Sequence, residues 1–353
     1  MTPLTGKKLL VAPLDWGLGH ATRCVPVIRD LLNNNCEIWL AGEGKQEKLL
    51  REEFPSLPFL PLKGYRIKYG KSGLTGKILL QVPSILRSIK EENKWLKEQV
   101  SNHGFDAVIS DNRYGLYHEN IFSVFITHQL CIKSSFGKWS EKILQQWNYK
   151  FINRFTECWV PDEAGENNLA GELSHPVKLP SKPVKYIGLL SRFVRQSADS
   201  VGEKKNINEI KNHLLIILSG PEPQRTILEN KVIDQIVNYP ATATIVRGLP
   251  GERNIIPSTN TIHFYNHLSS QELNTEATKA EFIISRSGYS TIMDIAALQK
   301  KSILIPTPGQ TEQEYLADHL MKKQFAFWVN QNEFSLLTNI EEARNFEYRF
   351  QVK

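Results

Sequence analysis

The chain is poor in the residues that mark a secreted, metal-clipped or membrane-spanning protein. Four of its 353 residues are cysteine (Cys24, Cys36, Cys131 and Cys158), and none share a CxxC spacing. That scatter excludes a disulfide framework and a cysteine metal knuckle, and fits reduced, mostly buried thiols. Long apolar runs are also missing. After Lys7-Lys8 only Leu9 to Leu14 precede Asp15, too short for a secretory signal. No stretch approaches the roughly 18 apolar residues of a spanning helix. A cytoplasmic location is therefore expected. Repeats of short period are absent. Hydrophobic content of 41% and charged content of 23% are those of an ordinary globular protein, and 353 residues suffice for two cores.

Acidic residues are missing from one whole segment. Between Phe54 and Lys90 there is no Asp or Glu, while Lys63, Arg66, Lys68, Lys71, Lys77, Arg87 and Lys90 carry positive charge. This segment alone accounts for the net charge of +6. Its charges alternate with Tyr65, Ile67, Tyr69, Ile78, Leu79 and Leu80. Such a mixture suits an anionic bilayer surface or an anionic acceptor; the alternative is a solvated loop followed by an ordinary helix. No nucleic-acid motif accompanies the charge, so nucleic acid is not an expected partner.

What the chain does have is short apolar strands running into glycine turns and then helices. Lys8 to Pro13 leads into Asp15-Trp16-Gly17-Leu18-Gly19-His20, with helix through Val25 to Leu32. His213 to Leu218 leads into Ser219-Gly220-Pro221-Glu222-Pro223-Gln224, with helix from Thr226 to Val237. Phe282 to Ile284 leads into Ser285-Arg286-Ser287-Gly288, with helix from Tyr289 to Leu298. Such a turn aims backbone N–H groups and the positive helix end at one spot, which suits a phosphate. Asp294 lies farther along the third helix and offers a carboxylate to a sugar's vicinal hydroxyls. Glu312-Gln313 follow the next strand, Lys301 to Ile305, where a doubly wound sheet places its ligand-facing loops. The first loop lacks the third glycine of a dinucleotide fingerprint. Asp111 and Arg113 follow the strand Ala107 to Ser110, and His128 follows Phe122 to Ile126. A helix over Phe136 to Phe155 carries Trp139, Trp147, Tyr149 and Phe151, whose helical spacing predicts core packing.

The stretch from Glu281 to Asp318 resembles the donor-binding half of GT-B glycosyltransferases, of the MurG-like family 28 type. In that family a basic residue, a glycine, a small hydroxyl residue and an acid recur at this spacing, with an acid–glutamine pair after the next strand. The resemblance implies that Arg286, Ser287, Gly288, Tyr289, Ser290 and Thr291 face the donor diphosphate. It places Asp294 at the ribose and Glu312 and Gln313 at the transferred sugar; the acid at 294 is usually Glu in the family. Ser219, Gly220 and Gln224 match the loop that approaches the diphosphate, and His267 and Leu268 the place where the uracil ring is held. The GxGH pattern of Gly17, Gly19 and His20 matches the family's first glycine loop. His20 is then expected as the general base, with Asp15 orienting it or touching the acceptor. A histidine near pKa 6.5 takes a proton that an alcohol near pKa 16 does not release unaided. Asp111, Arg113 and His128 are candidates for acceptor contacts or for a network supporting His20. The family's second glycine-rich loop has no counterpart here.

The expected fold is thus α/β, with two Rossmann-like doubly wound domains facing across a cleft. Residues 1–195 would bind the acceptor and 196–353 the nucleotide sugar, with the last helix packing back on the first domain. The expected activity is inverting transfer from a UDP-sugar to an acceptor hydroxyl, lipid-linked or at the membrane surface, with peripheral contact through residues 63–90. No DxD pair stands beside the donor motif, so no metal or other cofactor is expected. The alternatives are a nucleotide-sugar hydrolase or epimerase of the same fold, and a non-catalytic nucleotide-sugar sensor.

Overall fold

A computed structural model of the chain describes residues 4–65, 74–193 and 210–350, with backbone alone over 74–81. Residues 66–73, part of the 63–90 segment expected to contact a bilayer, and residues 194–209 lie outside the described residues. The chain divides into two compact units, Met1–Leu190 and Ser191–Lys353.

Unit 1 holds strands β1 (Lys8–Pro13), β2 (Glu37–Gly42), β3 (Phe59–Pro61), β4 (Ala107–Asp111), β5 (Phe122–Ile126), β6 (Glu157–Val160) and β7 (Val184–Tyr186). They form one parallel sheet in the order β3-β2-β1-β4-β5-β6-β7. Helices α1 (Leu18–Asn33), α2 (Gly44–Glu53), α3 (Leu74–His103) and α4 (Lys138–Ile152) connect them. Burial on both faces explains why β1 reads KLLVAP rather than alternating. The strand order reverses between β1 and β4, and there Pro13 pairs with Asp111. This topological switch brings the loops after both strands side by side. Helix α3 begins at Leu74 and runs through Pro83.

The aromatic helix departs from expectation. Tyr149 is buried, but Phe136, Trp139 and Trp147 are 52%, 68% and 51% exposed, with Ile143 exposed between them. Helical spacing locates a stripe without saying what covers it. In α4 the core takes the opposite side, through Asn148, Tyr149 and Ile152.

Unit 2 holds β8 (Leu214–Ile217), β9 (Ala243–Val246), β10 (Ile262–Tyr265), β11 (Phe282–Ser285), β12 (Lys301–Leu304) and β13 (Phe327–Trp328). These are parallel, in the order β10-β9-β8-β11-β12-β13. Helices α5 (Gln224–Ile236), α6 (Ser270–Lys279), α7 (Tyr289–Leu298), α8 (Thr311–Lys322) and α9 (Leu336–Asn345) flank the sheet. Ser269 and Glu272 close a reciprocal capping box at the start of α6. The switch falls between β8 and β11, so the loops after these strands are neighbours. Leu336, Ile340 and Ala343 of α9 sit in the core of unit 2 with Ile303 and Ile305. Tyr348 donates to the Ser302 carbonyl at 3.0 Å and ties the chain end to the same sheet.

Candidate active site

In unit 1 the loops after β1, β4 and β5 gather a buried cluster of charges. His20 and Arg23 stand one turn apart on α1 and so share a face. The Arg23 guanidinium grips Asp111, donating from Nε to both carboxylate oxygens at 2.9 and 2.7 Å and from Nη2 to Oδ1. Its Nη2 also lies 2.9 Å from His20 Nδ1, and its Nη1 3.2 Å from His128 Nδ1. Asp111 Oδ2 is 3.3 Å from His20 Nδ1, and Cys24 Sγ points at the same oxygen. Burial pushes the His20 pKa below its ordinary value and the Arg23 charge adds to that, against the opposing pull of Asp111. Burial alone would raise the Asp111 carboxyl, but Arg23 and His20 together hold it below the usual carboxylate range. His20 is thus neutral at pH 7, and Asp111 ionised.

The other expected residues of unit 1 take scaffold positions. Asp15 accepts from the Tyr65 amide at 3.0 Å, and Gly64 is pressed so closely on its carboxylate that a Cβ would overlap Oδ2. Among these contacts Asp15 anchors the turn at 64–65. Arg113, expected at the acceptor or in the support of His20, is buried in an ion pair with Glu92 at 2.5 Å and donates to the Pro13 carbonyl at 3.2 Å. Glu92 in turn accepts from the Tyr65 hydroxyl and the Gly115 amide, both at 2.8 Å. This network staples α3 to the loops after β1 and β4. Gly17 adopts φ 77° at the start of α1, a left-handed turn that favours glycine, and its carbonyl accepts from Gln46 at 3.0 Å. Gly19 accepts from the Thr22 hydroxyl at 2.9 Å.

In unit 2 the expected diphosphate residues split into two groups. Arg286 is buried after β11 and its guanidinium is mostly committed to the protein. Nη1 donates to the Ile305 and Pro306 carbonyls at 3.2 Å, and Nη2 to the Gln224 carbonyl at 2.8 Å and Gln331 Oε1 at 2.5 Å. Burial lowers its pKa to about 10, which leaves it charged at pH 7. One nitrogen remains: Nε is buried with no partner among the described residues, as is the hydroxyl of Thr307. Both border Gly220, whose φ is +105°; a Cβ there would stand 3.4 Å from Thr307 Oγ1 and 3.9 Å from Arg286 Nε. A missing side chain and two unpaired donors make a small electropositive niche.

Around it the loops are held by hydrogen bonds. Ser287 donates to the Gln313 carbonyl at 2.8 Å, and Gln313 Oε1 accepts from the Thr307 amide at 2.9 Å. The Gln224 side chain accepts from Gln331 at 2.9 Å. Gly288 caps α7 without a side chain, next to open space. Ser219, Ser290, Thr291 and Glu312 are partly exposed, and Tyr289 is buried. Asp294, expected at the ribose, accepts from the Ser191 hydroxyl at 2.7 Å and the Arg192 side chain at 3.2 Å. Burial raises its pKa, and Arg192 offsets part of that. The carboxylate thus ties α7 to the first residues of unit 2. Leu268 is buried, while His267 is half-buried beside Asn266, whose side chain is bonded to Arg247 at 2.7 Å.

Sequence reasoning passed over Arg23 and Thr307. Arg23 carried a signal, since a His and an Arg three residues apart on a helix meet the same neighbour. Thr307 carried none; its place depends on how β8 and β12 flank β11.

Residues 257–350 match the Glycosyltransferase family 28 C-terminal domain. The chain is 23% identical over 345 residues to the UDP-N-acetylglucosamine--N-acetylmuramyl-(pentapeptide) pyrophosphoryl-undecaprenol N-acetylglucosamine transferase of Haemophilus ducreyi, covering 93% of this chain and 86% of that one. Among solved structures it resembles MurG of Acinetobacter baumannii, with TM-score 0.54 at 13% identity over 97% of this chain and 93% of that one. It also resembles a spinosyn rhamnosyltransferase complexed with thymidine diphosphate, with TM-score 0.61 at 13% identity over 96% of this chain and 92% of that one. With its two parallel sheets and the matched domain, the chain is a glycosyltransferase of GT-B architecture, MurG-like, with a family 28 domain in its second half.

Proposed function

We propose that the protein is an inverting, metal-independent transferase that moves a sugar from a UDP-sugar to an acceptor hydroxyl, with unit 1 binding the acceptor and unit 2 the donor. The observation that carries the donor reading is the niche at Gly220, where Arg286 Nε and the Thr307 hydroxyl are buried without partners. A diphosphate oxygen supplies the acceptors those donors lack. The same charge and dipole, with the start of α7, favour the leaving diphosphate without a divalent ion.

His20 is the base in this reading. Its imidazole takes the acceptor's proton while the hydroxyl oxygen bonds to the anomeric carbon, and the bond from that carbon to the diphosphate oxygen breaks on the opposite face. The product anomer is inverted and the nucleoside diphosphate leaves with the electron pair. His20→Ala lowers kcat by about 10²–10⁴-fold with donor affinity unchanged. Undiminished turnover removes His20 from the role. Proton NMR of the product's anomeric centre tests inversion, and turnover that dies in EDTA refutes metal independence. Free sugar formed without acceptor assigns a hydrolase instead.

A lipid-linked acceptor at an anionic bilayer is supported by the exposed stripe of α4. Trp139, Ile143 and Trp147 line it, Phe136 is exposed just ahead of the helix, and Lys138, Lys142 and Lys150 are exposed beside it. Indole rings flanked by lysines suit the headgroup boundary. The paired change Trp139→Glu and Trp147→Glu abolishes retention on phosphatidylglycerol vesicles at low salt; unchanged retention refutes this surface. Among the described residues no helix is long and apolar enough to cross a membrane.

A further inference from the structure

The cluster around Asp111 contains a contradiction that a base at position 20 must resolve. An arginine side chain carries only donors. Where its Nη2 meets His20 Nδ1 at 2.9 Å, that ring nitrogen must offer a lone pair, so the imidazole proton sits on Nε2. The same holds for His128, whose Nδ1 is 3.2 Å from Nη1 of the same guanidinium. An Nε2–H imidazole is a hydrogen-bond donor at that nitrogen and takes no proton there. The base form requires the other tautomer, with Nδ1–H directed to a carboxylate and Nε2 bare. The carboxylate is present: Asp111 Oδ2 lies 3.3 Å from Nδ1, against 2.9 Å for Arg23 Nη2.

We propose that Arg23 is a positioning residue that sets which nitrogen of His20 holds the proton, keeping the free enzyme in the Nε2–H form until Nδ1 turns from Arg23 to Asp111. This rests on the reading of His20 as the base. In the exchange Nε2 gives its proton to solvent and Nδ1 takes one from solvent, with no net change. The acceptor's proton then goes to the bare Nε2, and the resulting imidazolium is held by Asp111 through Nδ1–H. The groups facing His20 are Arg23 and, beside it, Cys24 from α1, Asp111 from the end of β4, and His128 from the loop after β5. Arg23 plays both sides of this arrangement. It grips Asp111 in the geometry that receives Nδ1–H, and its charge opposes the imidazolium, so His20 stays neutral below its ordinary pKa.

The test reads the tautomer without turnover. In the full chain labelled with ¹⁵N-histidine, two-bond proton–nitrogen spectra at pH 8 are expected to show His20 with Nδ1 bare and Nε2 protonated. Arg23→Lys keeps a cation for Asp111 but lacks the second arm, and is expected to move His20 toward Nδ1–H. A wild-type His20 protonated on Nδ1 overturns the proposal, even if the variants fail to fold, and so does an unchanged tautomer in a folded Arg23→Lys. The pH profile adds a readout that a structural role does not move. The acid limb of kcat/KM is expected to shift to higher pH in Arg23→Gln and to lower pH in Asp111→Asn; shifts in one common direction count against the proposal. Full turnover in His20→Ala sinks the base reading and leaves the tautomer result standing, so the two failures are told apart.

Discussion

Thr307→Val separates binding from folding because it should push the two in opposite directions. The backbone at this position does not depend on the side chain. The Thr307 amide donates to Gln313 Oε1 at 2.9 Å, and its carbonyl accepts from the Gln310 amide at 3.0 Å. Valine keeps the shape and replaces the hydroxyl by a methyl. In the free protein that hydroxyl is buried without a partner, a state that costs about 1–3 kcal/mol. Removing it should stabilise unit 2 by about 1 kcal/mol, which for a unit of this size raises Tm by about 2–4 °C. In the proposed donor complex the hydroxyl would give a hydrogen bond to a charged phosphate oxygen, worth about 1.5–3 kcal/mol. Its loss should weaken UDP binding by about 10–150-fold. Scanning calorimetry of the free protein and isothermal titration with UDP measure the two effects. A lower Tm with unchanged affinity refutes the reasoning, since the hydroxyl would then serve the fold and not the ligand.

Arg113→Met leaves Glu92 buried without its cation and should cost unit 1 about 3–5 kcal/mol. Equilibrium unfolding in urea measures this; normal stability with a raised acceptor KM would return Arg113 to the acceptor site. Glu276 makes stability sensitive to acid. The His213 imidazole at 3.7 Å, then Lys279 and Thr244, outweigh burial and hold its pKa at about 2. Because the folded value lies below the unfolded one, this stabilisation is present above about pH 4.3 and lost as pH falls toward 2. The Glu276 side chain is 19% exposed and in part screened by water, which limits the effect to about 1 kcal/mol or less. Glu276→Gln should flatten the urea midpoint between pH 5 and 2, and an unaltered slope would show that other carboxylates govern it.

Much of the fold is legible because its signals are local. Runs such as Leu9–Leu10–Val11–Ala12 and Phe282–Ile283–Ile284 are too short for helices and too apolar for exposed strands, so a sheet covered on both faces follows. Gly17, Gly220 and Gly288 mark turns where the next helix begins. Less legible were the short edge strand β3, with three residues, and α9, whose polar face hid the contacts of Leu336, Ile340 and Ala343. The exposed aromatics of α4 show the limit of periodicity, which finds a stripe without its partner.

Sequence by itself determined the strand–turn–helix units, the parallel sheets and the loops where charge and glycine gather, because backbone sterics and apolar burial act over a few residues. Tertiary structure decided what each polar side chain does there. Asp111 reaches Arg23, 88 positions away in the chain, and His20 only because β4 lies beside β1. Asp294 turns to Arg192, Arg113 to Glu92, and most of Arg286 to the carbonyls of Ile305, Pro306 and Gln224 and to the Gln331 side chain. A buried charge takes the partners that the packed chain brings within hydrogen-bond reach, and those distances exist only after folding.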